Sequence, residues 1–208
     1  MVITDMDNDI DFYFDFASPY SYFAVQRLEK IAAAHGRRVR WLPVLVTAMC
    51  EATGSPLAPL VPLKWQYVQR DLERSARAEG LPFRVPPGFP SLLLAPGRAM
   101  LWICQAYDDK TATAFARTCL RAYFGDGVDI NDAQALTGIG AALGVDRQAL
   151  LAGMADPAIK AEFRDATAQA LAQGAFGVPF VIADGEPFWG ADRLVQLDTW
   201  LGRVREPA

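Results

Sequence analysis

Ile10-Asp11-Phe12-Tyr13-Phe14-Asp15-Phe16, followed by Ala17-Ser18-Pro19 and then Tyr20 to Ile31, is the run whose reading decides the fold. Aromatic residues alternating in part with acids suit a short strand, because successive side chains of a strand leave on opposite faces. Ala17-Ser18-Pro19 breaks that pattern and reads as a turn. Tyr20, Phe23, Ala24, Arg27, Leu28 and Ile31 then recur at three- and four-residue spacing, which predicts one amphipathic helix with Arg27 reaching to solvent. Gly36 stops it, and Val39-Arg40-Trp41-Leu42-Pro43-Val44 resumes an extended pattern. Strand, right-handed helical crossover and parallel strand follow as the expected unit.

The other end of the chain returns to the same grammar. Asp156-Pro157 supplies an N-cap and a first-turn proline, opening a helix that ends at Gly174. Phe180 to Ala183 reads as a buried strand, Asp184-Gly185 as a two-residue hairpin turn, and Glu186 to Trp189 as the return strand. Asp192 then heads a helix with Leu194, Leu197 and Leu201 on one face. Between the two ends the pattern is helical: Lys64 to Glu79, Gly97–Asp108, Thr111–Phe124, Asp132–Leu143 and Asp146–Met154, with a Pro-rich loop from Leu81 to Pro90. This order assembles into an α/β, thioredoxin-like fold with a large all-helical insertion. Residues 8–46 and 157–208 form the thioredoxin-like part and 47–156 the inserted domain, which is expected to pack on the sheet.

Composition narrows the function classes. The 208 residues carry 20 basic and 24 acidic side chains, a net charge of −4, and no basic stripe, which argues against a nucleic-acid partner. No uninterrupted apolar stretch is long enough for a transmembrane helix, and the acidic start from Met1 to Asp11 lacks the pattern of an export signal. Cys50, Cys104 and Cys119 are scattered and His35 is the lone histidine, so no zinc-ligand spacing exists. The chain therefore reads as cytoplasmic, reduced and metal-free. His35 is expected to serve the end of its helix.

Four places could carry chemistry. Ser18-Pro19-Tyr20-Ser21 stands where thioredoxin-like redox proteins carry paired cysteines; with serine at both positions, dithiol exchange is impossible there. Ser18 is either a plain N-cap or a hydroxyl that steadies an anion, such as a thiolate, among the free N–H groups of a helix start. Pro179, after Gly177-Val178, either opens an edge strand in the trans form or is cis and turns the Val178 backbone toward the Ser18 loop. Asp192 is either a cap or a carboxylate for a ligand ammonium. Lys64 opens a charged helix and is either a solvated surface lysine or, standing after Pro56–Pro62, a cation beside a stretch that could fold across a cleft mouth.

Phe12 to Tyr22, together with Phe176-Gly177-Val178-Pro179-Phe180, Phe188-Trp189-Gly190-Ala191-Asp192-Arg193-Leu194 and Arg70-Asp71-Leu72-Glu73-Arg74, closely resembles the 2-hydroxychromene-2-carboxylate isomerases. These are relatives of kappa-class glutathione transferases and of periplasmic disulfide oxidoreductases. The resemblance implies glutathione as cofactor and a small aromatic or bicyclic compound as substrate. It implies that Ser18 supports the glutathione sulfur and that Val178, before a cis Pro179, pairs with the cysteinyl backbone. Asp192 and Arg193 would hold the γ-glutamyl end and Lys64 the glycine carboxylate, with Trp189 also among the glutathione-binding residues. The implied reaction is reversible ring opening, bond rotation and release to hydroxybenzylidenepyruvate, in aromatic-compound degradation, by a homodimer. A kappa-like transferase or peroxidase, and a silent thioredoxin-like binding module, are the alternatives. Three places depart from the family pattern: Glu51 where a basic residue is common, and Ser55 and the Ser91-Leu92 pair where an Asn is usual. An anion at position 51 is expected to repel a substrate carboxylate, so the acceptor half is read as altered.

Overall fold

The strand period shows directly in what β1 (Asp9–Phe14) buries. Phe12 and Phe14 leave on one face, stack at 5.3 Å and meet the edge of Trp41. Tyr13 leaves on the other face and packs with Val44, Met49, Ala170 and Phe180. Each fully buried large apolar side chain contributes about 1.5–3 kcal/mol, so two-sided burial makes β1 the strand around which the sheet is organised. The structure, a computed structural model, describes residues 9–203. Position 8, positions 204–208 and all but the last residues of the acidic start lie outside the described residues.

β1 is flanked by β2 (Arg38–Pro43), parallel, and by β3 (Phe180–Ala183), antiparallel; β4 (Glu186–Trp189) completes the order β2-β1-β3-β4. Asp184 and Gly185 both have positive φ, 53° and 78°, the backbone that a two-residue hairpin turn demands and that Gly supplies without strain. This is the α/β, thioredoxin-like arrangement that the element order predicts.

The predicted single helix from Tyr20 is two: α1 (Pro19–Ala24) and α2 (Leu28–Ala34). Gln26 N–H bonds Phe23 O and Arg27 N–H bonds Ala24 O, so the chain tightens for three residues and restarts. The periodicity runs through the break because both pieces bury the same side. His35 caps α2 with its backbone, and its ring sits 2.7 Å from Asp198 on the last helix.

From α3 (Val46–Thr53) to α8 (Arg147–Ala155) there are helices and loops only: α4 (Pro62–Glu79), α5 (Leu94–Ala106), α6 (Asp109–Arg121) and α7 (Ala133–Ala142) lie between. α6 runs on into a π turn, Ala122–Asp126. α5 begins three residues before Gly97, since a proline in the first turn forfeits no hydrogen bond. Side chains of Asp108, Asp132 and Asp146 cap α6, α7 and α8. Phe115, Leu120 and Phe124 from these helices share one core with Phe12, Phe14 and Trp41, so helices and sheet are packed as one body. α9 (Pro157–Ala172), capped by Asp156, returns the chain to the sheet, and α10 (Leu194–Arg203) closes it. Among the described residues, no helix is long and apolar enough to cross a membrane.

Candidate active site

β1 ends beside the start of α1, and this junction faces a cavity of about 600 Å³. Ser18 is the N-cap of α1: its Oγ accepts from Ser21 N–H at 3.1 Å, and Pro19 occupies the first helical position. A hydroxyl that accepts in its cap keeps its own proton to donate. Ser18 is 7% exposed and lines the cavity, so the cap and the anion-supporting roles coexist in one geometry. Ser21, the second position, gives its N–H to that cap and lies outside the lining.

Opposite, the Val178–Pro179 peptide is cis. Val178 lines the cavity, and neither its N–H nor its C=O finds a hydrogen-bond partner among the described residues. Pro179 O accepts from Gly190 N–H at 2.9 Å, tying this turn to the segment that leads into α10. Trp189 packs edge-on against Phe176 with centroids 4.8 Å apart. Its ring also passes so near Gly177 that a Cβ there would lie 2.9 Å from Nε1, which accounts for glycine at that place in Phe-Gly-Val-Pro.

Lys64 stands in the first turn of α4, lines the same cavity and has no ion pair among the described residues. Asp192 and Arg193 border an adjoining recess of about 570 Å³ together with Val178, Pro179 and Trp189. Tyr20, Val178 and Trp189 line both spaces, so the seven sequence-predicted site residues fall along one cleft. Asp192 does not cap a helix through its side chain; it lies in a 3₁₀ turn, Ala191–Arg193, exposed, with its carboxylate 3.4 Å from Arg193.

Four features of the cleft were not singled out from sequence. Tyr20 donates its phenol to Asp71 at 2.8 Å, and Arg74 pairs with the second oxygen of Asp71, so the Arg70–Arg74 run is tied to the residue two positions after Ser18. Trp65 and Phe89 stack at 5.6 Å and, with Leu57, Pro59 and Leu93, make one wall of the cavity apolar. Cys50 faces the cavity; burial pushes its thiol up while Lys64 pulls it down. Asp15 is 4% exposed and lines the cavity, with burial raising its carboxyl from 3.8 to about 6 against the pull of two backbone hydrogen bonds. The alternation of aromatics and acids around it gave no sign of that burial.

Of the departures from the family pattern, Ser55 and Leu92 line the cavity. Glu51 does not: it is exposed on α3 and outside the lining, so the repulsion expected from it is not directed into the cavity. The helix turns outward here, because Cys50 and Thr53 take the inward positions. Pro56 to Pro59 lines the cavity, whereas Leu60 to Pro62, the rest of the stretch expected across its mouth, lies outside the lining.

A DSBA-like thioredoxin domain model matches residues 9–202. The 2-hydroxychromene-2-carboxylate isomerase of Sphingobium xenophagum is 33% identical, over 94% of this chain and 99% of that protein. The chain belongs to this isomerase family within the DSBA-like thioredoxin domains. The solved structure of a 2-hydroxychromene-2-carboxylate isomerase superposes with a TM-score of 0.85 at 29% identity, covering 94% of this chain and 95% of that one. The kappa 2 glutathione S-transferase of Caenorhabditis elegans is 28% identical over 92% of this chain and 91% of that protein. Family membership extends across both halves of the cleft, since the match runs from β1 through α10.

Proposed function

We propose that the cleft binds glutathione and that the protein is a glutathione-dependent isomerase acting on 2-hydroxychromene-2-carboxylate-type substrates in aromatic-compound degradation. The observation that carries this reading is Ser18: a helix N-cap whose acceptor side is used and whose proton is free, at the wall of an apolar cavity and across from the unpaired backbone of Val178. The residues fit a tripeptide thiol. Val178 offers one N–H and one C=O to an extended peptide, Lys64 offers an unpaired cation to a terminal carboxylate, and Asp192 with Arg193 offers both signs to an α-amino acid end.

Bound there, glutathione supplies a sulfur nucleophile that the chain itself lacks at positions 18 and 21. Ser18 donates to the sulfur anion beside the free N–H groups of α1, which favours the charged form. Trp65 and Phe89 present flat apolar surface to a conjugated ring and keep water from it. Cys50, Cys104 and Cys119 are all free, which suits a reducing, cytoplasmic setting.

The test is conversion of 2-hydroxychromene-2-carboxylate by purified protein, followed by the change in ultraviolet spectrum with and without glutathione. Glutathione-dependent conversion with the free thiol count unchanged supports the reading. Conversion without glutathione, or none with it, refutes it. Stoichiometric loss of thiol would assign the protein to conjugation, as in a kappa-like transferase.

A further inference from the structure

We propose that Asp15 is a positioning residue whose side chain clamps the Ser18 loop to the start of α3 and so fixes the spacing between the sulfur-supporting hydroxyl and the acceptor wall. This rests on the reading of the cleft given above. One carboxylate oxygen accepts from Ala17 N–H at 2.8 Å; the other accepts from Val46 N–H at 2.7 Å. The main-chain carbonyl of Asp15 accepts from Ser18 N–H at 3.0 Å, so the same residue holds the loop on both sides. Val46 opens α3, which carries Thr47, Cys50 and Thr53 into the cavity. α3 has no side-chain cap, and its preceding residue, Leu45, is held by Thr167 Oγ1 from α9 at 3.1 Å. Two anchors thus fix this helix start, and only the Asp15 anchor can change charge.

The two amide hydrogen bonds do not offset the cost of burying the anion, so the clamp holds best with Asp15 protonated and loosens as it ionises. Cys50 from α3 and Tyr123 from the π turn are the titratable groups that feel its charge, and Lys64 of α4 stands along the same cavity. Burial raises both the thiol and the phenol, so neither changes charge where Asp15 does.

The experiment compares the wild-type chain with Asp15→Asn and Thr167→Val from about pH 5 to about pH 8. Amide hydrogen exchange, corrected for intrinsic rate, reads the protection of Ala17 and Val46. Calorimetry reads the affinities for glutathione and for S-hexylglutathione, whose apolar substituent occupies the acceptor side. In the wild type, protection of both amides falls about tenfold as pH climbs through the Asp15 transition, and preference for S-hexylglutathione falls with the same midpoint. Asp15→Asn abolishes both steps. Thr167→Val lowers the protection of Leu45 and keeps both steps, which a purely structural role for Asp15 does not predict. Steps that persist in Asp15→Asn, or are absent from the wild type, overturn the proposal; the wild-type arm decides it even if the variant does not fold. Failure of glutathione to bind the wild type refutes the proposed function and leaves the exchange steps to judge the clamp.

Discussion

The pH dependence of folding stability offers a direct measurement of Asp15, because its carboxyl is held in the folded protein at about 6 against an ordinary 3.8. Burial disfavours the anion by more than the Ala17 and Val46 N–H groups favour it. Between those two values the folded chain keeps a proton that the unfolded chain has released. Stability from this group is therefore complete below the ordinary carboxyl range and is lost as pH rises through the folded value. A shift of this size corresponds to roughly 3 kcal/mol in all, of which about 2 kcal/mol falls between about pH 4.5 and about pH 7.5. Urea unfolding of the wild type and of Asp15→Asn at several pH values in that window isolates the effect, since every other group titrates in both proteins. The stability of the wild type relative to the variant should fall by about 2 kcal/mol as pH rises. A flat difference, or one that grows with pH, refutes a buried carboxylate whose two amide hydrogen bonds fall short of its lost hydration. The clamp proposed above loosens over the same range, so local protection of Val46 and global stability should fall together.

Replacing Ser18 with Ala removes both the cap bond to Ser21 and the donor to the sulfur; turnover with glutathione should collapse while stability falls by only about 1 kcal/mol, and unchanged turnover speaks against the assigned role. Asp192→Asn should raise the concentration of glutathione needed for half-maximal rate more than it lowers the maximal rate, as steady-state kinetics will show; a fall in maximal rate alone contradicts the assigned contact. Lys64→Gln should weaken glutathione binding in calorimetry and also slow alkylation of Cys50 by iodoacetamide at mildly alkaline pH, because the ammonium lowers that thiol; faster alkylation would contradict the electrostatic argument.

Much of this architecture was legible in the sequence where local rules agree. Aromatic alternation gave β1, Ser18-Pro19 gave the cap of α1, and Asp184-Gly185 gave the hairpin, each a matter of a few adjacent residues. What was not legible depends on partners distant in the chain. Asp15 reads as an ordinary polar residue of an alternating strand until Val46, thirty-one positions on, is seen to donate into it. Tyr20 reads as one more residue of a helical stripe until Asp71, fifty-one positions away, accepts its phenol. The break between α1 and α2 was hidden for a related reason: both pieces bury one continuous stripe, and only the hydrogen bonds at Gln26 and Arg27 betray the interruption. The Glu51 departure misled because sequence spacing alone cannot say which side of α3 faces inward.

The two halves of the cleft are built from different material, and this bears on how such a site can change its substrate. Ser18, Val178 and Asp192 sit at strand ends or in the short segments joined to them, tied by backbone bonds such as Gly190 N–H to Pro179 O. The wall proposed for the acceptor comes instead from α3, from Pro56–Pro59 and from Phe89 to Leu93, where the local backbone is helix or loop. A substitution at Ser55 or Leu92 alters a side chain on that wall and leaves the sheet-anchored groups where they are. A substitution at Asp15 does the reverse, touching no acceptor atom yet releasing one wall from the other, because its two oxygens are the bridge between them. Variation is therefore tolerable at the first kind of position and costly at the second, although both lie along the same cavity.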